Sequence, residues 1–123
     1  MSYIIITNNP RVKEEIKNTM FINGSFEDVL IKVRNLVYSG YKLINHPLGA
    51  SIRIMFSPYR SIIVGEKVES VNKFYVEAIE NSIASYRKHM KVRIQDTVNK
   101  EDYALIDREL LKSALEEAKK FSA

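Results

Sequence analysis

The 123-residue sequence contains no cysteine, no tryptophan and only two histidines, His46 and His89. The lack of cysteine excludes disulfide bonds, thiol nucleophiles and thiolate metal sites. Two histidines alone give little basis for a histidine-ligated metal centre, so neither a metal nor another cofactor is expected. Ligand chemistry would therefore have to come from amides, hydroxyls, arginines and backbone groups.

Long apolar runs are also missing. No stretch approaches the ~20 apolar residues that a helix needs to span a bilayer. The N-terminus, Met-Ser-Tyr followed by three isoleucines, lacks the basic start and long apolar stretch of a signal peptide. We therefore expect a soluble, cytoplasmic protein with no membrane partner. A length of 123 residues with 46% apolar composition predicts a single domain over residues 1–123.

Acidic residues are absent from two parts of the chain, although the net charge is only +4. None occurs between Asp28 and Glu66, or in the basic cluster at residues 87–93. Such asymmetry could attract an anionic ligand or an acidic partner, while a solvated surface is an equally good interpretation. The basic residues match no RNA- or DNA-binding motif, so no nucleic-acid partner is predicted.

Strand and helix patterns alternate along the chain. Short β-branched runs predict strands, and apolar residues at three- and four-residue spacing predict amphipathic helices. In the last helix this spacing places six residues on the inward face: Ile106, Leu110, Leu111, Ala114, Leu115 and Ala118. Strands are expected at residues 3–7, 20–22, 41–45 and 60–65, and helices from residue 10 and at 25–39, 68–86 and 103–120. The order predicts a single α/β domain, a three-layer Rossmann-like sandwich with a small, mainly parallel sheet of three to five strands.

The stretch IIITNNPRVKEE, residues 4–15, joins the first strand to the first helix. Asn9 stands at an N-cap position and Pro10 at the first helical position. The first amide groups of a helix have no partner within it and suit a phosphate or carboxylate. Asn8 and Asn9 could add amide donors, and Arg11 a positive charge. The alternative, that the asparagines only cap the helix and shape the turn, is the commoner role of such residues.

The loop at residues 46–61 offers further candidates. Ligands of open α/β sheets bind beyond the carboxyl ends of the strands, where the stretch from Asn45 to Ser51 is expected. His46 is the one candidate for a general acid or base, although a histidine bonded within a loop is the favoured interpretation. Residues 57–61 would enter the last strand from the opposite end unless the loop folds back. The predicted ligand-binding residues are Thr7, Asn8, Asn9, Arg11, His46, Ser51, Arg53, Tyr59, Arg60 and Ser61.

Four motifs together resemble one protein family. A strand ending in TNNP, then NHPLGASIR, SPYRSIIV and the C-terminal YALIDRELLKSALEEA, is similar to the GrdX-like proteins. The resemblance implies a cytoplasmic accessory protein encoded alongside the glycine reductase and thioredoxin components of amino-acid-fermenting anaerobes. It supplies no reaction. The family's recurrent positions correspond here to Thr7, Asn8, Asn9, Pro10, His46, Pro47, Leu48, Ser51, Pro58, Tyr59 and Ser61.

Three functions are compatible with these observations. The first is an accessory or small-ligand-binding protein of glycine reductase metabolism, with an anion or phosphate site at the strand ends. The second is a small enzyme for a phosphorylated or nucleotide substrate, with His46 as acid or base. The third is a protein-interaction module that uses the basic surface or the C-terminal helix. Binding is favoured over catalysis, with an anionic small molecule or glycine reductase components as partners. Homodimerisation could occur through the long helices.

Overall fold

The structure is a computed structural model that describes residues 2–49 and 52–121. This part of the chain forms one sheet of four strands, four α-helices and a 3-10 helix. The strands are β1 (Tyr3–Thr7), β2 (Thr19–Phe21), β3 (Tyr41–Leu43) and β4 (Ser61–Lys67). The helices are α1 (Pro10–Glu15), α2 (Phe26–Tyr38), α3 (Lys73–Met90) and α4 (Lys100–Phe121), and the 3-10 helix is Ile52–Phe56.

The sheet is mixed, with the strand order β2-β1-β4-β3. Strand β1 is parallel to β2 and antiparallel to β4, and β4 is antiparallel to β3. The predicted α/β class and the number of strands are confirmed. The predicted mainly parallel sheet is wrong, because the chain between β3 and β4 returns without a crossover helix. The Rossmann-like topology is likewise not confirmed, since it requires successive parallel crossovers.

Helices cover both faces of this sheet. Ile6, Ile62 and Val64 pack into one cluster with α2 and α3, while Ile5 and Ile63 pack into another with α1 and α4. Neighbouring residues reach opposite clusters because side chains alternate along a strand. Burial of both faces explains why β1 and β4 consist of nearly continuous apolar runs.

Local sequence signals set the limits of α2. The Ser25 side chain accepts from the Asp28 backbone, and the Asp28 carboxylate accepts from the Ser25 backbone, which forms a capping box. Gly40 follows the helix with φ of 99° and accepts a hydrogen bond from the amide of Val68 at 2.9 Å. A non-glycine residue disfavours that backbone conformation, so glycine permits the turn into β3.

The buried face of α4 is rotated from the predicted one. Leu111 and Leu115 are buried as expected, but Ile106 and Leu110 are 51% and 41% exposed. Ala104 and Asp107 occupy the inward positions instead. The buried face of α4 therefore includes a charged residue, Asp107, and differs from the face that apolar spacing alone predicts.

Gly40→Ala tests the turn after α2. A Cβ atom at this position would lie 2.6 Å from the carbonyl oxygen of Val68, and the positive φ adds strain. We expect the free energy of unfolding in urea to fall by about 1–3 kcal/mol. Asn35→Ala, at an exposed position of α2, is the control and should change it by less than about 0.5 kcal/mol. Equal unfolding midpoints for the two variants would contradict the turn's requirement for glycine.

Candidate functional site

Three polar loops meet at one edge of the sheet. Thr7, at the end of β1, pairs with Ser61, at the start of β4, because these strands are antiparallel. The loop after β3 reaches the same edge, where Arg60 Nε donates to the carbonyl of Pro47 at 2.7 Å. Arg60 Nη2 also donates to the carbonyl of His46 at 2.7 Å. The expectation that residues 57–61 enter from the opposite end is therefore wrong.

Asn8 links β1 to two neighbouring loops. Its Nδ2 atom donates to the carbonyls of Gly24 at 3.0 Å and Pro58 at 2.8 Å. Its Oδ1 atom accepts from the backbone amide of Arg60 at 2.9 Å. Both amide hydrogens of this buried side chain therefore have partners within the protein.

Asn9 combines helix capping with attachment of α4. Its Oδ1 atom accepts from the amide of Arg11 at 3.0 Å, as an N-cap residue does. Its Nδ2 atom donates to the carbonyl of Ala104 at 2.9 Å and to Asp107 Oδ2 at 3.0 Å. The backbone amide of Asn9 donates to the Thr7 hydroxyl at 3.0 Å. The capping interpretation is thus correct, and the same side chain also binds the C-terminal helix.

Asp107 is the acceptor at the centre of this edge. Ser61 donates to it through its amide, at 2.9 Å, and through its hydroxyl, at 2.7 Å. Because each hydroxyl has one proton, the Thr7 hydroxyl must donate in the 2.7 Å contact with Ser61 Oγ. Arg60 Nη1 lies 4.0 Å from Asp107 Oδ1, and both side chains are buried. Thr7, Ser61, Asn9, Asp107 and Arg60 together form what we call the buried polar cluster.

Burial acts on both charges of this cluster. It lowers the pKa of the Arg60 guanidinium, which the nearby Asp107 carboxylate partly counteracts. It raises the pKa of the Asp107 carboxyl group, against hydrogen bonds from Asn9 and Ser61 and the charge of Arg60. The cost of burying the two charges is therefore opposed by hydrogen bonds from each to other groups and by their mutual attraction at 4.0 Å.

The other predicted ligand-binding residues lie around this cluster. Arg11 is partly exposed and pairs with Glu15 at 3.9 Å. His46 is exposed, and its Nδ1 atom accepts from the amide of Leu48 at 3.1 Å. Arg53 is exposed and belongs to the 3-10 helix. Ser51 lies outside the described residues.

A cleft of about 370 Å³ opens next to the cluster, between the 3-10 helix and α4. This volume falls within the usual range of small-molecule sites. Neither the Tyr59 hydroxyl nor the Tyr103 hydroxyl makes a hydrogen bond with another described residue. The lining consists of Arg53, Ile54, Ser57, Tyr59, Tyr103, Ile106, Asp107 and Leu110.

The start of α1 is electrostatically different from this cleft. A depression of about 230 Å³ there contains Arg11 but also three acids, Glu14, Glu15 and Glu101. Carboxylates in such numbers oppose the approach of an anion. The positive side chain is also engaged with Glu15. The start of α1 is thus an unfavourable environment for an anionic group.

Asp107 and Tyr103 were not among the residues predicted from the sequence. The sequence YALIDRELL does indicate that Asp107 is buried. Asp107 lies three residues after Ala104 and four before Leu111, so the three share one face of a helix. An acid on the inward stripe of an amphipathic helix needs a buried partner. Arg60 is that partner, and only the fold brings it near.

Within residues 2–49 and 52–121, no three histidine, aspartate or glutamate side chains are grouped so as to hold a metal ion. No helix in the same part of the chain is long and apolar enough to cross a membrane.

The family model for GrdX-like proteins matches residues 4–116, nearly the whole chain. The chain belongs to the GrdX-like family. The family name suggests an association with the glycine reductase system. No curated protein and no solved structure gives a significant match to this GrdX-like chain.

Asp107→Asn tests the central role of the buried carboxylate. The substitution preserves the side chain's shape but leaves the Arg60 guanidinium buried without a counter-charge. Loss of one partner of a buried ion pair costs about 3–5 kcal/mol, and we expect a decrease of that order in the free energy of unfolding in urea.

Glu109→Gln provides the matched control, because it removes an exposed carboxylate that pairs with Arg108 at 2.8 Å. Its effect should stay below about 1 kcal/mol. If Asp107→Asn destabilises the protein no more than Glu109→Gln does, the buried pair does not hold the sheet edge together.

Proposed function

We propose that this GrdX-like protein is an accessory protein of the glycine reductase system that binds a small organic anion. The ligand would occupy the cleft between the 3-10 helix and α4. The observation that carries this proposal is the cleft itself, about 370 Å³ in volume and lined by three aliphatic side chains, two tyrosines and the polar residues Arg53, Ser57 and Asp107. That combination is typical of small-molecule sites.

The charges around the cleft favour an anion. Arg53 brings an exposed guanidinium to it, a group suited to bidentate contacts with carboxylate or phosphate. The negative charge of Asp107 is balanced by Arg60, and both of its oxygens accept hydrogen bonds from the protein. The positive charge at the cleft is therefore supplied by Arg53, while the carboxylate of Asp107 is engaged by its own partners.

The remaining lining indicates what else the ligand would carry. Tyr59 and Tyr103 offer hydroxyl donors, and Ile54, Ile106 and Leu110 offer apolar surface. An anion with a carbon skeleton fits this lining better than inorganic phosphate does, because the apolar walls gain nothing from a fully hydrated ion. The predicted ligand is thus a carboxylate or an organic phosphate with an apolar part.

Binding is a better account of this edge than catalysis. His46, the one candidate acid or base, is exposed, and its Nδ1 atom already accepts from the backbone of Leu48. It does not line the larger cleft but an adjoining depression of about 140 Å³, which shares Ile54 and Leu110 with it. No acidic side chain among the described residues is bonded to its ring, so nothing there would orient it for proton transfer.

The polar side chains of the TNNP stretch enter this proposal by positioning other residues rather than by contacting the ligand. Asn9 and Ser61 fix Asp107, and Asp107 fixes the face of α4 that borders the cleft. Asn8 fixes the backbone of Arg60 and Pro58, next to Tyr59. These residues are proposed as positioning residues, while Arg53, Tyr59 and Tyr103 contact the ligand.

Unfolding in the presence of small anions tests the proposal. The ligands are inorganic phosphate, acetyl phosphate, nucleotides, and aliphatic and aromatic carboxylates. A ligand at about 100 times its Kd should raise the free energy of unfolding by about 2.7 kcal/mol. Arg53→Gln should weaken binding about tenfold, equivalent to about 1.4 kcal/mol. Arg34→Gln, which removes an arginine that pairs with Glu80 away from the cleft, should not.

Asn9→Ala distinguishes binding in the cleft from binding at the start of α1. It should lower the basal stability through loss of its hydrogen bonds. It should weaken ligand binding less than Arg53→Gln does, because Asn9 affects the cleft only through the position of α4. If the ligand effect survives Arg53→Gln but disappears in Asn9→Ala, the anion binds at the TNNP stretch instead. If none of the anions stabilises the protein, the small-ligand function is wrong.

A further inference from the structure

The linker between α3 and α4 exposes large apolar side chains. Val92, Ile94 and Val98 are 84%, 89% and 91% exposed, more than any other large hydrophobic side chain noted on the described surface. Scattered single exposures of this kind are ordinary. Here three β-branched residues fall within one short segment outside helix and strand. The exposure is therefore a property of the segment.

The same segment carries unbalanced positive charge. Residues 81–95 contain no acidic residue but include Lys88, Lys91 and Arg93. Within the described residues, neither lysine forms an ion pair. Arg93 lies over the ring of Phe56, 5.3 Å from its centroid, and keeps its charge. Apolar and basic side chains thus alternate along residues 91–94.

The backbone of this segment is unpaired. In the part of the chain that the structure describes, no hydrogen bond involves the backbone groups of residues 92–95. The segment is nevertheless anchored at its C-terminal side, where the amide of Asp96 donates to the carbonyl of Phe56 at 3.0 Å. Gln95 Nε2 donates to the hydroxyl of Tyr86 at 3.1 Å. Free backbone groups on a tethered, β-branched segment are suited to strand pairing.

We propose that residues 91–95, the docking segment, bind an extended acidic segment of a partner protein by main-chain pairing. The partner's carboxylates would face Lys88 and Lys91, and its apolar side chains would cover Val92 and Ile94. Pairing supplies affinity through backbone hydrogen bonds, and the alternating side chains supply specificity. This interaction is independent of the anion cleft proposed above.

The charges argue against a second copy of this chain as the occupant. Antiparallel pairing of two docking segments centred on Arg93 would place the two Arg93 side chains opposite each other. Centring on Val92 would place Lys91 opposite Arg93. Like charges directly across a strand pair are destabilising. An acidic segment converts each of these repulsive positions into an attractive one.

A lipid surface is the other occupant that basic and apolar residues suggest. Lipid acyl chains, however, offer no donors or acceptors to the backbone of residues 92–95, and unsatisfied backbone groups are costly in hydrocarbon. A partner strand satisfies them. The unpaired backbone therefore favours a protein segment over a bilayer.

The test uses the full chain and a fluorescent peptide that alternates glutamate with valine, measured by fluorescence anisotropy. We expect binding at about 50 mM salt that weakens strongly at about 500 mM, because surface charge is screened. Lys88→Gln/Lys91→Gln and Val92→Ser/Ile94→Ser should each weaken binding about tenfold or more. Phe74→Ser, which removes another highly exposed hydrophobic side chain, is the control and should bind as the unsubstituted protein does.

Three results would overturn the proposal. The first is equal affinity for a peptide in which alternate backbone nitrogens are methylated, since main-chain pairing would then be absent. The second is binding to phosphatidylserine vesicles without binding to the peptide. The third is self-association that Val92→Ser/Ile94→Ser abolishes, again without peptide binding. Because all substituted side chains are on the surface, circular dichroism should show that each variant folds as the unsubstituted chain does.

Discussion

A single buried carboxylate, that of Asp107, holds the end of β1, the start of β4 and helix α4 in one arrangement. Burying a charge is unfavourable unless it is paired and hydrogen-bonded. Here Asn9, both donors of Ser61 and the guanidinium of Arg60 satisfy it. A different strand register or a rotated helix would leave the carboxylate with fewer partners. The network therefore selects this arrangement over other compact ones.

The orientation of α4 follows from this constraint. Ile106 and Leu110 directly precede the buried residues Asp107 and Leu111. Because successive helical residues point about 100° apart, burying Asp107 and Leu111 turns Ile106 and Leu110 to the flank of the helix. Those two side chains are then available to line the cleft beside the 3-10 helix. The apolar surface proposed for ligand binding is thus a consequence of the buried polar cluster. By fixing the buried face of α4, the polar cluster also determines which side chains of α4 line the cleft.

Much of the fold and part of the site could be predicted from the sequence. Apolar runs located the strands, and Ser25, Gly40 and Asn9 marked helix ends correctly because capping is local chemistry. Strand direction could not be read, since a fully buried strand has the same apolar pattern in either direction. That error placed residues 57–61 at the wrong edge. Asp107 was missed for a related reason: counting apolar spacing ignores a polar residue on the same stripe.

The same energetics separate scaffold from ligand contact at this edge. A ligand that drew Asn9 away from Asp107 would leave a buried acceptor short of a donor, at about 1–3 kcal/mol. Its own bond to the asparagine would contribute about 0.5–1.5 kcal/mol net, which does not offset that loss. The hydroxyls of Tyr59 and Tyr103 have no bond within the described protein to give up. Ligand contacts are therefore favoured at the tyrosines, and the asparagines contribute by keeping the cleft in shape.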